Sequence, residues 1–248
     1  MKTVAIIPTL NEEKNVYEVL KETKRHVNKI IVVDSSSDRT PRIIKTDFPD
    51  VTLLREKRMG KGLAVRSGIK KAFNLKPKIV IFLDADGEKD PHDIKRMLVA
   101  LEKNDMVIGR RNRMRSWKRK FFNSFTNWWI RLVTDYPIHD ATSGFFGIKN
   151  SALKKMKLKS VGFEIETEFI LEAYRNKLNV TEVPIKVPKI SKSKLGFKSM
   201  VKINMFFDNW VLNFLKAKTN KISFYKVSFL KIFCNMGLLF SYLFNLIK

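Results

Sequence analysis

Five consecutive apolar residues, Ile79-Val80-Ile81-Phe82-Leu83, run straight into Asp84-Ala85-Asp86. A run this short and without polar alternation reads as a strand buried on both faces, the situation in parallel sheets covered by helices. The two carboxylates then fall where the strand leaves the sheet, the edge at which α/β folds place ligands. Side chains at i and i+2 of an extended chain point the same way, so Asp84 and Asp86 share one side. They repel each other unless something positive sits between them. A divalent cation such as Mg²⁺ or Mn²⁺, bound also to phosphate, suits such hard oxygens. A polar turn after a strand has the same spacing, so the triplet alone leaves both readings open.

The rest of the first half repeats this grammar. Apolar runs at Thr3 to Ile7, Lys29 to Val33, Val51 to Leu54 and Lys78 to Leu83 read as strands, with Met106 to Gly109 as a further one. Helical patterns lie between them: Asn11 to Val27 with Asn11 as N-cap, Gly60 to Leu75, and Pro91 to Leu101 with proline at the helix start. Strands alternating with helices predict a wound, mostly parallel sheet. From Met106 to Thr134 eight Lys or Arg residues and no acid interleave with aromatic residues. Phe145 to Ile148 and Val180 to Val187 read as strands, with Ser160 to Lys177 helical between them.

The charge is unusual. Lys and Arg number 49 against 24 acids, a net +25 over 248 residues, which implies a polyanionic partner: nucleic acid, anionic lipid or a phosphorylated substrate. Cys234 is the only cysteine, excluding an intrachain disulfide and a cysteine-based metal site. His26, His92 and His139 lack zinc spacing. Only six residues precede Pro8 after Met1, too few for a signal-peptide apolar region, so the catalytic part is expected in the cytoplasm.

Taken in order, five stretches carry a resemblance: Ile7-Pro8-Thr9-Leu10-Asn11-Glu12-Glu13, Val33-Asp34-Ser35-Ser36-Ser37-Asp38-Arg39-Thr40, Gly60-Lys61-Gly62, Asp84-Ala85-Asp86-Gly87-Glu88 and Asp140-Ala141-Thr142-Ser143-Gly144-Phe145. Glu182-Val183-Pro184-Ile185 and Ser193-Lys194-Leu195 fit as well. The chain resembles the family 2 glycosyltransferases of the GT-A fold, and within them the dolichyl- or polyprenyl-phosphate mannose or glucose synthases. The resemblance implies a Rossmann-like α/β domain over residues 1–188, followed by basic amphipathic and hydrophobic helices for membrane attachment over 189–248.

The resemblance also implies roles. Pro8, Thr9, Asn11, Glu12, Asp34 and Asp38 surround the nucleotide, while Lys61 at a helix N-terminus faces the diphosphate. Asp84, Ala85 and Asp86 meet the sugar and diphosphate. Asp86 is the direct metal ligand, Asp84 a sugar or second metal contact, and Glu88 stands where relatives commonly carry glutamine as third ligand. Arg39 replaces a usual glycine, and Lys89 and Asp90 also depart from the usual pattern. Arg110, Arg111, Arg119, Ser143 and Lys194 are the candidates for an acceptor phosphate, for which arginine forks are suited. Relatives usually carry arginine after Gly-Phe, where this chain has Phe146. Asp140 is a catalytic candidate that touches the sugar, acts as a base or orients an arginine; a turn cap is the plain alternative. Glu168 matches a recurrent glutamate.

After Pro188 the chain is basic and amphipathic, with ten lysines and one acid from Lys189 to Lys231. Lysines interleaved with Phe206, Phe207 and Trp210 read as an interfacial helix on anionic lipid, or as a helix packed on its own domain. The uninterrupted apolar stretch Ile232 to Ile247 has 16 residues, near the lower limit for a span. The leading expectation is therefore a metal-dependent inverting enzyme that moves a hexose from a GDP- or UDP-linked sugar to a polyprenyl phosphate. A sugar hydroxyl or a soluble phosphorylated acceptor is the alternative. Nucleic-acid binding is disfavoured, because the motifs are acidic where nucleotide sugars need metal and no nucleic-acid motif is present.

Overall fold

The computed structural model describes residues 2–57, 60–112, 117–134 and 136–188, together with 205, 206 and 210. Its seven strands are β1 (Thr3–Thr9), β2 (Lys29–Asp34), β3 (Thr52–Arg55), β4 (Ile79–Phe82), β5 (Met106–Arg111), β6 (Phe146–Lys149) and β7 (Val180–Ile185). They form one sheet in the order β3-β2-β1-β4-β6-β5-β7. Every pairing is parallel except those of β6, which runs antiparallel to both β4 and β5. The expected mostly parallel wound sheet is what the chain forms. The direction of β6 is not encoded in an apolar run, because a strand buried on both faces looks the same read either way.

Helices cover both faces, which explains the lack of alternation in the strands. On one face, α1 (Val16–Lys24), α2 (Thr40–Asp47) and α4 (Ile94–Lys103) bury Val16, Leu20, Ile44, Ile94 and Met97 in a core with Ala5, Ile7, Val32 and Ile81. The other face carries α3 (Lys61–Asn74), packed so closely that a Cβ at Gly68 would lie 2.5 Å from Ile6 Cγ2. Further helices among the described residues are α5 (Trp117–Thr134), the short α6 (Asn150–Leu153) and α7 (Ile165–Arg175). Phe169 of α7 sits against Phe146 and Phe82, with ring centroids 4.6 and 5.1 Å away.

Three helices differ from the sequence reading. Asn11 does not cap α1: its φ is +52°, and the Glu12 carbonyl accepts from the Asn15 and Val16 N–H groups to make a turn first. The helix α2, absent from the reading, is short and has only Thr40 and Ile44 buried. α7 starts at Ile165 rather than Ser160, because the preceding N–H groups are taken by its own glutamates.

The chain divides into two units, Met1–Lys192 and Ser193–Lys248. The expected basic and hydrophobic helices of 189–248, and Lys194 with them, lie outside the described residues apart from 205, 206 and 210. Among the described residues, no helix is long and apolar enough to cross a membrane.

The aromatic contact between the sheet and α7 yields a direct test. Phe169 is fully buried, so Phe169→Ala should destabilise the protein by about 3–5 kcal/mol through lost transfer energy and an unfilled cavity. Equilibrium urea unfolding measures it; a loss under 1 kcal/mol would mean that this contact is not part of the core.

Candidate active site

The strand order creates a crevice. The chain winds outward from β1 to β2 and β3, then returns to place β4 on the other flank of β1. Wound sheets bind ligands where that direction reverses, outside the carboxyl ends of the strands. Here β4 stops pairing at Ile6↔Phe82, whereas β1 stays paired to β2 as far as Thr9↔Asp34. Pro8 therefore sits inside β1 rather than in the turn after it. It is tolerated there because one flank is already open and its missing N–H costs no ladder bond.

Next to this crevice the ends of β1 and β2 are tied together. Asp34 is fully buried, and its carboxylate accepts from Thr9 Oγ1 at 2.7 Å, Ser36 Oγ at 2.5 Å and the Arg55 guanidinium. Asn11 Oδ1 accepts from the Ser37 N–H at 2.9 Å, and the Glu12 N–H donates to Thr40 Oγ1 at 2.9 Å. Asp38 accepts from the Thr40 N–H at 3.0 Å and the Glu13 N–H at 3.2 Å. Pro8, Thr9, Asn11, Glu12, Asp34 and Asp38 are thus one connected cluster, with Arg55 as a member that the sequence reading missed. Arg39, standing where glycine is usual, has φ −75° and pairs with Glu13 from an exposed position, so the turn needs no glycine.

The acidic triplet is held by lysines. Asp84 Oδ1 is 2.6 Å from Lys61 Nζ, and its Oδ2 is 2.7 Å from Lys89 Nζ. Lys61 also bonds Glu166 of α7, while Lys89 is 3.9 Å from Asp86 Oδ1. Burial alone would raise the Asp84 carboxyl; Lys61 and Lys89 more than reverse this and hold it well below the usual carboxylate range. Burial would lower both lysines, yet Asp84 with Glu166, and Asp84 with Asp86, keep Lys61 and Lys89 charged and above their ordinary value. Gly144 closes the cluster with φ +68°. A Cβ there would stand 2.2 Å from Asp84 Oδ2 and 3.0 Å from Lys61 Nζ.

The glycines flanking Lys61 serve packing. A Cβ at Gly60 would meet the Val161 carbonyl at 2.5 Å, and one at Gly62 would meet the Ser160 carbonyl at 2.4 Å. The Ser160-Val161 segment is itself fastened by α7. Glu168 accepts from the Lys159 and Ser160 N–H groups at 2.8 and 2.9 Å, Glu164 from Gly162 at 2.7 Å, and Glu172 from Lys157 at 2.8 Å. Glutamates at i, i+4 and i+8 share one helix face. Glu168 is therefore a support for the loop that seats α3, and Glu166 is the residue that reaches the site.

The oxygen donors bear on metal binding. Among the described residues no three His, Cys, Asp or Glu side chains come together to hold a metal ion, so Asp84, Asp86 and Glu88 do not form a three-carboxylate cradle. The reason for Asp84 is that each of its oxygens faces a lysine. Glu88 is buried, and its N–H donates to Asp86 Oδ1 at 3.0 Å in a tight turn at Gly87. Asp86 is 26% exposed. Mg²⁺-type sites commonly use one or two carboxylates together with substrate phosphates, and Asp86 fits that donor set.

A second ionic pair lies on the loop before Gly144. Arg111 Nε and Nη2 meet Asp140 Oδ2 and Oδ1 at 2.7 and 2.6 Å, a bidentate fork, with Arg111 7% and Asp140 0% exposed. Burial would lower the guanidinium, but Asp140 holds it firmly protonated. The loop is clamped from two sides. Glu182 accepts from the His139 and Asp140 N–H groups, each at 2.8 Å. From α5, Asn127 accepts from the Ala141 N–H at 3.0 Å, Asn123 from Thr142 Oγ1 at 3.0 Å, and Arg131 donates to the Ile138 carbonyl at 2.8 Å. The spacing of Asn123, Asn127 and Arg131 puts them on one stripe, hidden in the sequence by the aromatic and basic residues around them. Among the other phosphate candidates, Ser143 donates to the Gly109 carbonyl and Arg110 is exposed. Arg119 falls within α5, with its side chain outside the described set. Away from the crevice, a cavity of about 590 Å³ lined by Lys78, Leu101, Glu102, Lys149 and Asn150 opens at the opposite edge of the sheet and contains none of the motif residues.

A wound sheet with basic and acidic side chains at its switch point has a charged crevice where such folds place ligands. Residues 4–157, more than half the chain, match the family described as Glycosyl transferase family 2; the chain belongs to that family and is a glycosyltransferase. It is 34% identical over 220 residues to an uncharacterized protein of Methanocaldococcus jannaschii, covering 81% of this chain and 90% of that one. It is 31% identical over 209 residues to the UDP-N-acetylglucosamine–dolichyl-phosphate N-acetylglucosaminyltransferase of Methanococcus voltae, covering 73% and 83%. Against the polyprenol monophosphomannose synthase of Mycolicibacterium smegmatis it is 27% identical, covering 80% and 81%. Among solved structures, glucosyl-3-phosphoglycerate synthase from Mycobacterium tuberculosis, in complex with Mn²⁺, UDP and phosphoglyceric acid, shares the fold with a TM-score of 0.69 at 15% identity, over 84% of this chain and 78% of that one.

The Lys61 and Asp84 shifts fix a pH dependence. Asp84 lies below its unfolded value of 3.8, so its contribution is present above that pH and is lost as pH falls below it. Lys61 lies above its unfolded value of 10.5, so its contribution is present below that pH and is lost as pH rises past it. Between these limits the pair's contribution is flat. Lys61→Met should cost about 3 kcal/mol by stranding buried carboxylates. The loss should be constant from about pH 5 to 9 and shrink below about pH 4. Urea unfolding across that range measures it, and a loss that varies strongly between pH 6 and 8 would contradict the assignment.

Proposed function

We propose that the protein transfers a hexose or N-acetylhexosamine unit from a nucleoside diphosphate sugar to a polyprenyl phosphate, with inversion at the anomeric carbon. The observation that carries this reading is the bidentate pair between Arg111 and Asp140. A hydroxyl acceptor needs a general base. Asp140, the sequence candidate for that role, is fully buried with both oxygens on Arg111, so it acts by orienting the guanidinium. A phosphate monoester needs no base, because its second pKa of ~6 leaves it largely dianionic near neutral pH. It needs fixed cations, and a guanidinium held by a buried carboxylate is one. The relatives named for dolichyl phosphate and polyprenol support the same acceptor class.

On the donor side, the Thr9–Asp34 cluster accommodates the nucleoside at the ends of β1 and β2. Asp86 would hold Mg²⁺ or Mn²⁺ together with the donor diphosphate, in line with the Mn²⁺ and UDP named for the structurally similar mycobacterial enzyme. When bound, such a cation supplies Lewis-acid neutralisation of the leaving diphosphate. Lys61 and Lys89 add fixed positive charge at the same strand end, where charge grows as the glycosidic bond breaks. The acceptor phosphate oxygen attacks the anomeric carbon from the face opposite the diphosphate. Attachment to a membrane surface through residues 189–248, with the catalytic domain in the cytoplasm, completes the proposal.

The test incubates membranes containing the protein with Mn²⁺, polyprenyl phosphate and radiolabelled GDP-mannose, UDP-glucose or UDP-N-acetylglucosamine. Label should enter the lipid fraction with one donor. Label in a water-soluble acceptor alone would overturn the lipid reading. Asp86→Ala should lower transfer at least about a hundredfold without loss of fold, as expected for removing electrostatic stabilisation of a leaving group. Full turnover in that variant would remove Asp86 from the site.

A further inference from the structure

We propose that Lys89 is a positioning residue that occupies the cation position between Asp84 and Asp86, so that Asp84 is withheld from metal and Asp86 receives it. The inference rests on the reading above that a divalent cation binds at Asp86. Gly87, with φ +70°, turns the chain sharply after the triplet and brings residue 89 back toward residue 84. The Lys89 ammonium ends 2.7 Å from Asp84 Oδ2 and 3.9 Å from Asp86 Oδ1, and its side chain is 3% exposed. Lys61 holds the other Asp84 oxygen at 2.6 Å. The positive charge that two neighbouring carboxylates require is therefore supplied by the chain itself. A cation approaching Asp84 would have to displace a buried ammonium and leave it without a partner, which is costly. Asp86, partly exposed and only distantly paired, has no such barrier.

Removing the ammonium reverses this preference. Lys89→Met frees Asp84 Oδ2 and makes the site one charge more negative, so Mn²⁺ should bind at least about tenfold more tightly, with Asp84 joining Asp86 as ligand. The experiment titrates Mn²⁺ into the full-length protein, with and without UDP or GDP, and follows free Mn²⁺ by electron paramagnetic resonance. Lys89→Arg, which keeps the charge, should bind as the natural protein does. Lys89→Met combined with Asp84→Asn should return affinity to that level. If Lys89→Met fails to fold by circular dichroism, Lys89→Gln carries the same comparison. Equal or weaker Mn²⁺ binding by the uncharged variant, with the natural protein binding normally, overturns the role of Lys89 and leaves the metal at Asp86 standing. No Mn²⁺ binding by any variant, even with nucleotide, overturns both.

Discussion

The Asp84 carboxylate, held between two buried ammonium groups, is the interaction around which the crevice is built. Each of its oxygens belongs to a different lysine, and each lysine arrives by a different route. Lys61 depends on α3 lying close to the Ser160-Val161 backbone, which in turn depends on two glycines and on the α7 glutamates that hold that segment. Lys89 depends on the turn at Gly87. Gly144 must lack a side chain for the cluster to close at all. A change in α7, far along the chain, therefore reaches the end of β4 by two routes, through hydrogen-bonded backbone and through the Phe169–Phe82 contact.

Such a cluster is a poor device for stability. Buried ion pairs barely recover the cost of desolvation, and an apolar set of the same volume commonly does as well or better. Under the proposed function its value is a fixed field. The ammonium groups of Lys61 and Lys89 and the guanidinium of Arg111 are held in place before any substrate arrives, so little reorganisation is needed when negative charge develops. The structure spends hydrogen bonds freely to keep them there: Asp140 alone is fixed by Arg111, by the Glu182 contact to its N–H and by the asparagines of α5 that hold its loop.

The wound sheet was legible because apolar runs and helical spacing are local properties. Every expected strand is present, within about two residues at most ends. The direction of β6 was not legible, since an apolar strand carries no arrow, and α2 was hidden because it buries only Thr40 and Ile44. Most of the motif residues that the structure describes fall on strand ends and loops, with Lys61 at the start of α3 and Arg119 within α5. Their partners were harder to see. Lys89 stands out only as a departure from a pattern, and neither Glu166 nor Arg55 belongs to a motif. Each contacts a residue 5 to 105 positions away in sequence, and no local rule couples such pairs.

Phe146 shows how a departure from a family pattern can be read physically. An arginine at this position would supply a cation beside the Thr142-Ser143-Gly144 turn. In this chain the side chain stacks on Phe82 at 4.6 Å and lies against Phe169, buried within the sheet-to-α7 packing. A guanidinium there would have to be desolvated among aromatic rings or push α7 away. Position 146 is therefore committed to the core, and the guanidinium at the turn is that of Arg111, which reaches the Thr142 carbonyl from β5. The bidentate Asp140 carboxylate at the back of the Arg111 guanidinium leaves Nη1 as the nitrogen without a hydrogen bond among the described residues. Under the proposed function, the direction of that nitrogen, rather than the number of basic residues in the chain, would set where an acceptor phosphate sits.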